Sequence, residues 1–125
     1  MDKEFFLSNG KEKLLNYKNL LETSIKEEKS VGADHRIDIF LNPVFRNFFT
    51  QLDFSGLVEP FDYHAWLEEE KIELESEEIL AQADLELLSK IVTTHLRLDR
   101  FVEGHLSALM EKGYFLKVLE RIEQL

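Results

Sequence analysis

Cysteine is absent from this sequence. Disulfide bridges, thiolate metal sites and cysteine nucleophiles are therefore excluded. Proline occurs only at Pro43 and Pro60, and glycine at five positions. So few breakers, with apolar residues recurring at spacings of three and four, predict helices. Long apolar runs are lacking too. No stretch approaches the ~20 apolar residues of a membrane-spanning helix. The segment Met1-Asp2-Lys3-Glu4-Phe5-Phe6-Leu7-Ser8 lacks the apolar core of a signal peptide. The expectation is a cytoplasmic protein with no membrane contact.

Positive charge is scarce: 15 Lys and Arg stand against 25 Asp and Glu, a formal net of −10. Such a chain repels phosphate backbones, so general nucleic-acid binding is not expected. The imbalance is local. Residues 68–86 hold nine acids against Lys71, while residues 87–125 carry six bases and five acids. The acidic run reads first as a solvated helix face and loop. Its sharper reading is a docking surface for a basic partner.

What the chain does have is apolar mass: 44% of its 125 residues, ten of them Phe. Each buried Phe stabilises by roughly 1.5–3 kcal/mol, enough to close one core and not two. The predicted fold is all-α, a single domain over residues 1–125 built as a bundle of five to six helices.

A first helix is expected from about Lys11 to Glu28, with Leu14, Leu15, Tyr17, Leu20, Leu21 and Ile25 as its stripe. Residues 29–34 read as a loop. Residues 35–41 alternate polar and apolar and are open to an extended reading, though a lone strand has no partner. Asn42-Pro43 is a helix start, with Asn as N-cap and Pro at the first position. That helix should stop before Gly56. Asp62 is the cap of a short helix carrying Trp66, and Asp84 of a later one. Gly113 marks a helix end before a final helix with Phe115, Val118, Leu119, Ile122 and Leu125 on one side.

Residues 93–105 place polar groups where apolar ones are expected. A continuous helix over 84–112 would set His95 and Asp99 one turn apart inside an apolar seam, which is costly without partners. A turn near Asp99, with Asp99 capping a second helix over Phe101–Lys112, is the preferred alternative. Gly104 falls inside a helix either way; close approach of a neighbouring helix or of the Trp66 ring is the expected reason, and ligand access the alternative.

Two stretches carry a resemblance. Pro60-Phe61-Asp62-Tyr63-His64-Ala65-Trp66, and Thr94-His95-Leu96-Arg97-Leu98-Asp99-Arg100-Phe101-Val102-Glu103-Gly104-His105-Leu106 with the later Gly113 and Leu119-Glu120-Arg121-Ile122, resemble the uncharacterised microbial family DUF6508. The resemblance spans about residues 43–125, with Arg-Phe-x-Glu-Gly its most specific part. It implies one compact domain and no established activity, substrate or cofactor.

The same two stretches hold the candidate ligand-binding residues: Asp62, Tyr63, His64, Trp66, His95, Arg97, Asp99, Arg100 and Glu103. His95, Asp99 and Glu103 have helix-face spacing for a divalent ion, but Arg97 and Arg100 beside them oppose a cation. His95 with Asp99 could form an oriented acid–base pair, yet Thr93, Thr94 and Ser107 offer no marked nucleophile. No catalytic residue, metal or cofactor is therefore assigned. The leading expectation is a non-catalytic interaction or regulatory domain, with a protein partner and a homodimer both open. In it, Arg97 and Arg100 pair with Asp99, Glu103 and Asp62. The alternative is a small-ligand or anion-binding protein, or an enzyme, with its site between residues 61–66 and 97–105 and the arginines as anion forks. Unpaired arginines lining an open cleft would favour the ligand, and paired arginines without a cavity the interaction domain. An oligomeric structural protein is a third class, with Phe5-Phe6-Leu7 as its apolar stripe.

Overall fold

Short polar caps divide the chain into helices, and no strand forms. A computed structural model describes residues 1–125. Helix α1 begins at Lys3, where the Asp2 carboxylate accepts from the Phe5 N–H at 3.1 Å. It is α-helical over Lys3–Phe5, π-helical over Phe6–Gly10, and α-helical again over Lys11–Leu15. At the end of the wider turn, Gly10 lies against the Ser55 backbone. A Cβ there would stand 2.0 Å from the Ser55 carbonyl oxygen. The chain breaks at Asn16 and Tyr17 before α2 (Lys18–Lys29). The single helix expected from Lys11 to Glu28 is thus two segments, and the first starts earlier. The break seats the Tyr17 ring edge-on against Phe48, 5.8 Å away.

Residues 30–42 hold no regular element. Ile37 and Ile39 are buried while Asp38 and Phe40 are exposed, so the alternation holds without a strand. The Ile39 N–H donates to Ser107 Oγ at 3.2 Å in place of a strand neighbour. Helix α3 (Pro43–Phe54) starts as its residues dictate, with Asn42 Oδ1 accepting from the Val44 N–H at 2.9 Å. Its Phe45, Phe48 and Leu52 are fully buried. Asp62 caps α4 (Tyr63–Glu70) through the Ala65 N–H, and Lys71 ends it in the left-handed region. Ser76 caps α5 (Glu77–Gln82), a short element that helps take the helix count above the expected five to six. Asp84 caps α6 (Leu85–Leu98).

Helix α6 stops at Leu98, so residues 84–112 are two helices and not one. The second, α7 (His105–Glu111), starts later than residue 101. Asp99 nevertheless caps it from a distance, its Oδ1 accepting from the Leu106 N–H at 3.0 Å. Gly104 is not inside a helix. It sits at the entrance to α7 with φ 72°, and nothing lies within 4 Å of where a Cβ would stand. Glycine is there for its left-handed backbone, not for close packing. Gly113 likewise turns the chain from α7 into α8 (Tyr114–Gln124).

One apolar cluster reaches from Phe6 to Ile122. Its aromatic centre is Phe48 against Phe115, edge-on at 5.7 Å. Of the Phe5-Phe6-Leu7 stripe, Phe6 is in this core, which leaves only Phe5 and Leu7 outward.

Candidate functional site

A buried hydrogen-bonded cluster joins four parts of the fold. His95, from the last turn of α6, is 0% exposed. Its Nε2 faces the Leu74 carbonyl oxygen at 3.1 Å and the Tyr114 hydroxyl at 3.2 Å. Tyr114 donates its own proton to that same carbonyl at 3.0 Å. A carbonyl only accepts, so His95 Nε2 carries its ring proton and Nδ1 is left bare. His105, on the first turn of α7, supplies the Nε2–H that Nδ1 accepts, at 2.9 Å. The 71–76 connector, α6, α7 and α8 are thus tied at one point. Burial pushes the His95 imidazole down to about 4, overriding the opposing pull of the Leu74 carbonyl. Burial also raises the Tyr114 phenol, and the Glu75 carboxylate adds to the rise. No buried side-chain nitrogen or oxygen in the protein lacks a partner.

The charged residues after His95 do not satisfy one another. Neither Arg97 nor Arg100 has a carboxylate within ion-pair distance or donates a side-chain hydrogen bond to the protein. Arg97 does act on Asp53: burial raises the Asp53 carboxyl and the Arg97 charge opposes that rise. The expected pairing with Asp99, Glu103 and Asp62 is absent because Asp99 is taken up by the Leu106 N–H and Asp62 by the Ala65 N–H. Arg100 and Glu103 point into water, where an ion pair gains little over hydration.

No hydrogen bond or ion pair joins Asp62, Tyr63, His64 or Trp66 to Arg97, Asp99, Arg100 or Glu103. Trp66 lies beside Leu87 and Lys90. Lys90 and Asp99 are nine residues apart, about 13 Å along α6. His64 is exposed, its ring over Tyr63 at 4.2 Å. Metal ligation finds no grouping either: no three His, Asp or Glu side chains are disposed to hold an ion.

The second feature is an exposed apolar face. Phe40 (65% exposed) and Leu41 (80%) line a groove with Glu103, Gly104 and Ser107. Phe101 (72%) and Val102 immediately precede its far rim in the 99–104 turn. Phe40 also lines a second groove, with Phe49, Thr50 and Asp53 of α3. Arg46 reaches across to the Phe40 carbonyl at 3.1 Å. The sequence carried one sign of this face: Phe40 falls on the outward phase of the alternation that buries Ile37 and Ile39. His105 and Tyr114 carried none, because their value comes from meeting His95.

Among known protein families, one described as a family of unknown function, DUF6508, has a model that matches residues 12–125. The match begins well before residue 43, so it takes in α2 and the end of α1. No curated protein and no solved structure matches the chain.

Proposed function

The chain belongs to DUF6508, whose function is unknown, and from that premise we propose that it is a small non-catalytic interaction domain of the cytoplasm. Its docking face is the groove between Phe40-Leu41 and the 101–104 turn. The observation that carries this reading is the exposure of Phe40 and Leu41 in one groove, with the exposed Phe101 and Val102 in the turn that leads to its rim at Glu103 and Gly104. Large apolar side chains gathered at one place on a surface mark contact sites, whereas scattered ones need no explanation. Phe is also the kind of anchor that carries binding energy at protein interfaces.

The partner this face fits is a protein offering an apolar side chain flanked by carboxylates. Arg36 lines the groove, and Arg100, exposed in the turn that leads to its rim, has no carboxylate within ion-pair distance; guanidinium forks suit that pairing. The buried His95 cluster has a supporting part in this reading. It holds α7, and hence one wall of the groove, against α6 and α8.

The test is affinity capture with the intact chain and with a Phe40→Asp/Phe101→Asp variant of equal stability, followed by reconstitution with the purified captured protein. The wild type should bind and the variant should lose at least about tenfold in affinity, or 1.4 kcal/mol. Equal binding by both chains would refute the reading. Self-association of the pure chain, lost in the variant, would assign the groove to a second copy instead.

A further inference from the structure

At the other end of α6 lies a groove of ≈ 290 Å³ formed by Trp66, Glu70, Ile72, Asp84, Glu86, Leu87 and Lys90. Trp66 is 9% exposed, and its indole Nε1–H donates to no group of the protein. That nitrogen is not sealed from solvent either, since no buried side-chain nitrogen is unpartnered. Trp66 therefore lines the groove beside Ile72 and Leu87 and carries one hydrogen-bond donor that is unpartnered and open to solvent. It calls for an acceptor such as a peptide carbonyl.

The carboxylates around this donor differ in their reasons for being there. Asp84 caps α6 through the Leu87 N–H at 2.8 Å. Glu86 sits on the first turn of that helix, where the dipole favours an anion, and reaches Lys90 at 3.9 Å. Glu70 has no such reason. It is the last residue of α4, with Glu68 and Glu69 just before it. A helix C-terminus is the negative end of the dipole, so three carboxylates there oppose it. None of the three has a basic partner within ion-pair distance. This arrangement costs stability in the isolated chain and is relieved by a cation arriving from outside.

We propose that the Trp66 groove binds an extended basic segment of a partner protein, with a backbone carbonyl on the Trp66 indole N–H and a Lys or Arg side chain on Glu70. The apolar stem of that side chain lies over Ile72 and Leu87, and its charge is shared with Asp84 and Glu86. This site is separate from the Phe40 groove, so either can fail alone.

Trp66 is the only tryptophan in the chain and reports on its own groove. The folded protein is titrated with a capped Lys-Gly-Lys-Gly-Lys peptide, its Glu counterpart and a Gly-Ser peptide. Trp66 emission and its single indole N–H resonance are followed. The Lys peptide alone should give a saturable change in both, weakening as salt rises. Glu70→Gln should weaken it at least about fivefold, the loss of one charge-assisted contact worth about 1 kcal/mol. Glu22→Gln, on α2, should leave it unchanged. A response shared by the Glu or Gly-Ser peptide, no saturable response, or equal weakening by Glu22→Gln would overturn the proposal.

Discussion

His95 and His105 share one proton. Their facing nitrogens are 2.9 Å apart, with ring centroids at 5.1 Å and planes inclined by 27°. His95 Nε2 already donates to Leu74, so a second proton on His95 Nδ1 would point at the N–H of His105. The pair is stable only with His95 neutral.

Stability should therefore depend on pH below neutrality. In the unfolded chain His95 takes up its proton near pH 6.5, and in the fold not until about 4. Between these values the unfolded state binds one more proton, so stability falls as pH falls. The contribution is complete above pH 6.5 and about 3 kcal/mol is lost on reaching pH 4. Urea unfolding across this range should show the slope, and His95→Gln should flatten it. An unchanged slope in the variant would assign the dependence to other groups.

Two glycines should respond to alanine for different reasons. At Gly104 there is open space but φ is 72°, so Gly104→Ala should cost about 1 kcal/mol from backbone strain alone. Gly104→Asn should recover part of it, because Asn tolerates that conformation. At Gly10 the new Cβ meets the Ser55 carbonyl, and Gly10→Ala should cost more, about 3 kcal/mol. Melting temperatures of the three variants give the order, and a reversed order would contradict the assignment.

Tyr114→Phe removes one of two donors from the Leu74 carbonyl while His95 Nε2–H still reaches it. The cost should be about 1 kcal/mol. A double-mutant cycle with His95→Gln should give a coupling of at least about 0.5 kcal/mol, since both side chains serve one acceptor. Strict additivity would mean the cluster does not act as a unit.

Arg100→Ala should leave stability within about 0.5 kcal/mol, because the side chain is exposed and makes no bond. Arg121→Ala is the contrast. Its Nε donates to the Ala83 carbonyl at 2.7 Å, tying α8 to the α5–α6 junction. Loss of that bond should cost about 1 kcal/mol. Chemical denaturation of both variants separates the two roles.

Local chemistry was legible wherever a residue acts on its near neighbours. The caps Asn42, Asp62 and Asp84, the stop before Gly56 and the turn at Gly113 are all where short-range hydrogen bonding and backbone preference put them. The close approach of Gly10 to the Ser55 backbone was not legible, because the two residues are far apart along the chain. The charged run after His95 misled in the same way. Proximity in sequence suggested ion pairs, but Asp99 and Asp62 accept from backbone N–H groups, Arg100 stays in water and Arg97 acts on Asp53.

By itself the sequence determined an all-helical chain: its breakers, caps and apolar spacing act over three or four residues, the range in which helix energetics operate. Only the tertiary structure decided that His95 is met by Leu74, His105 and Tyr114, that Phe40 and Glu103 line one groove, and that Trp66 stands apart from Arg97. Those relations depend on how separate helices stack, and packing is set by the shape of the whole core, which no local pattern encodes.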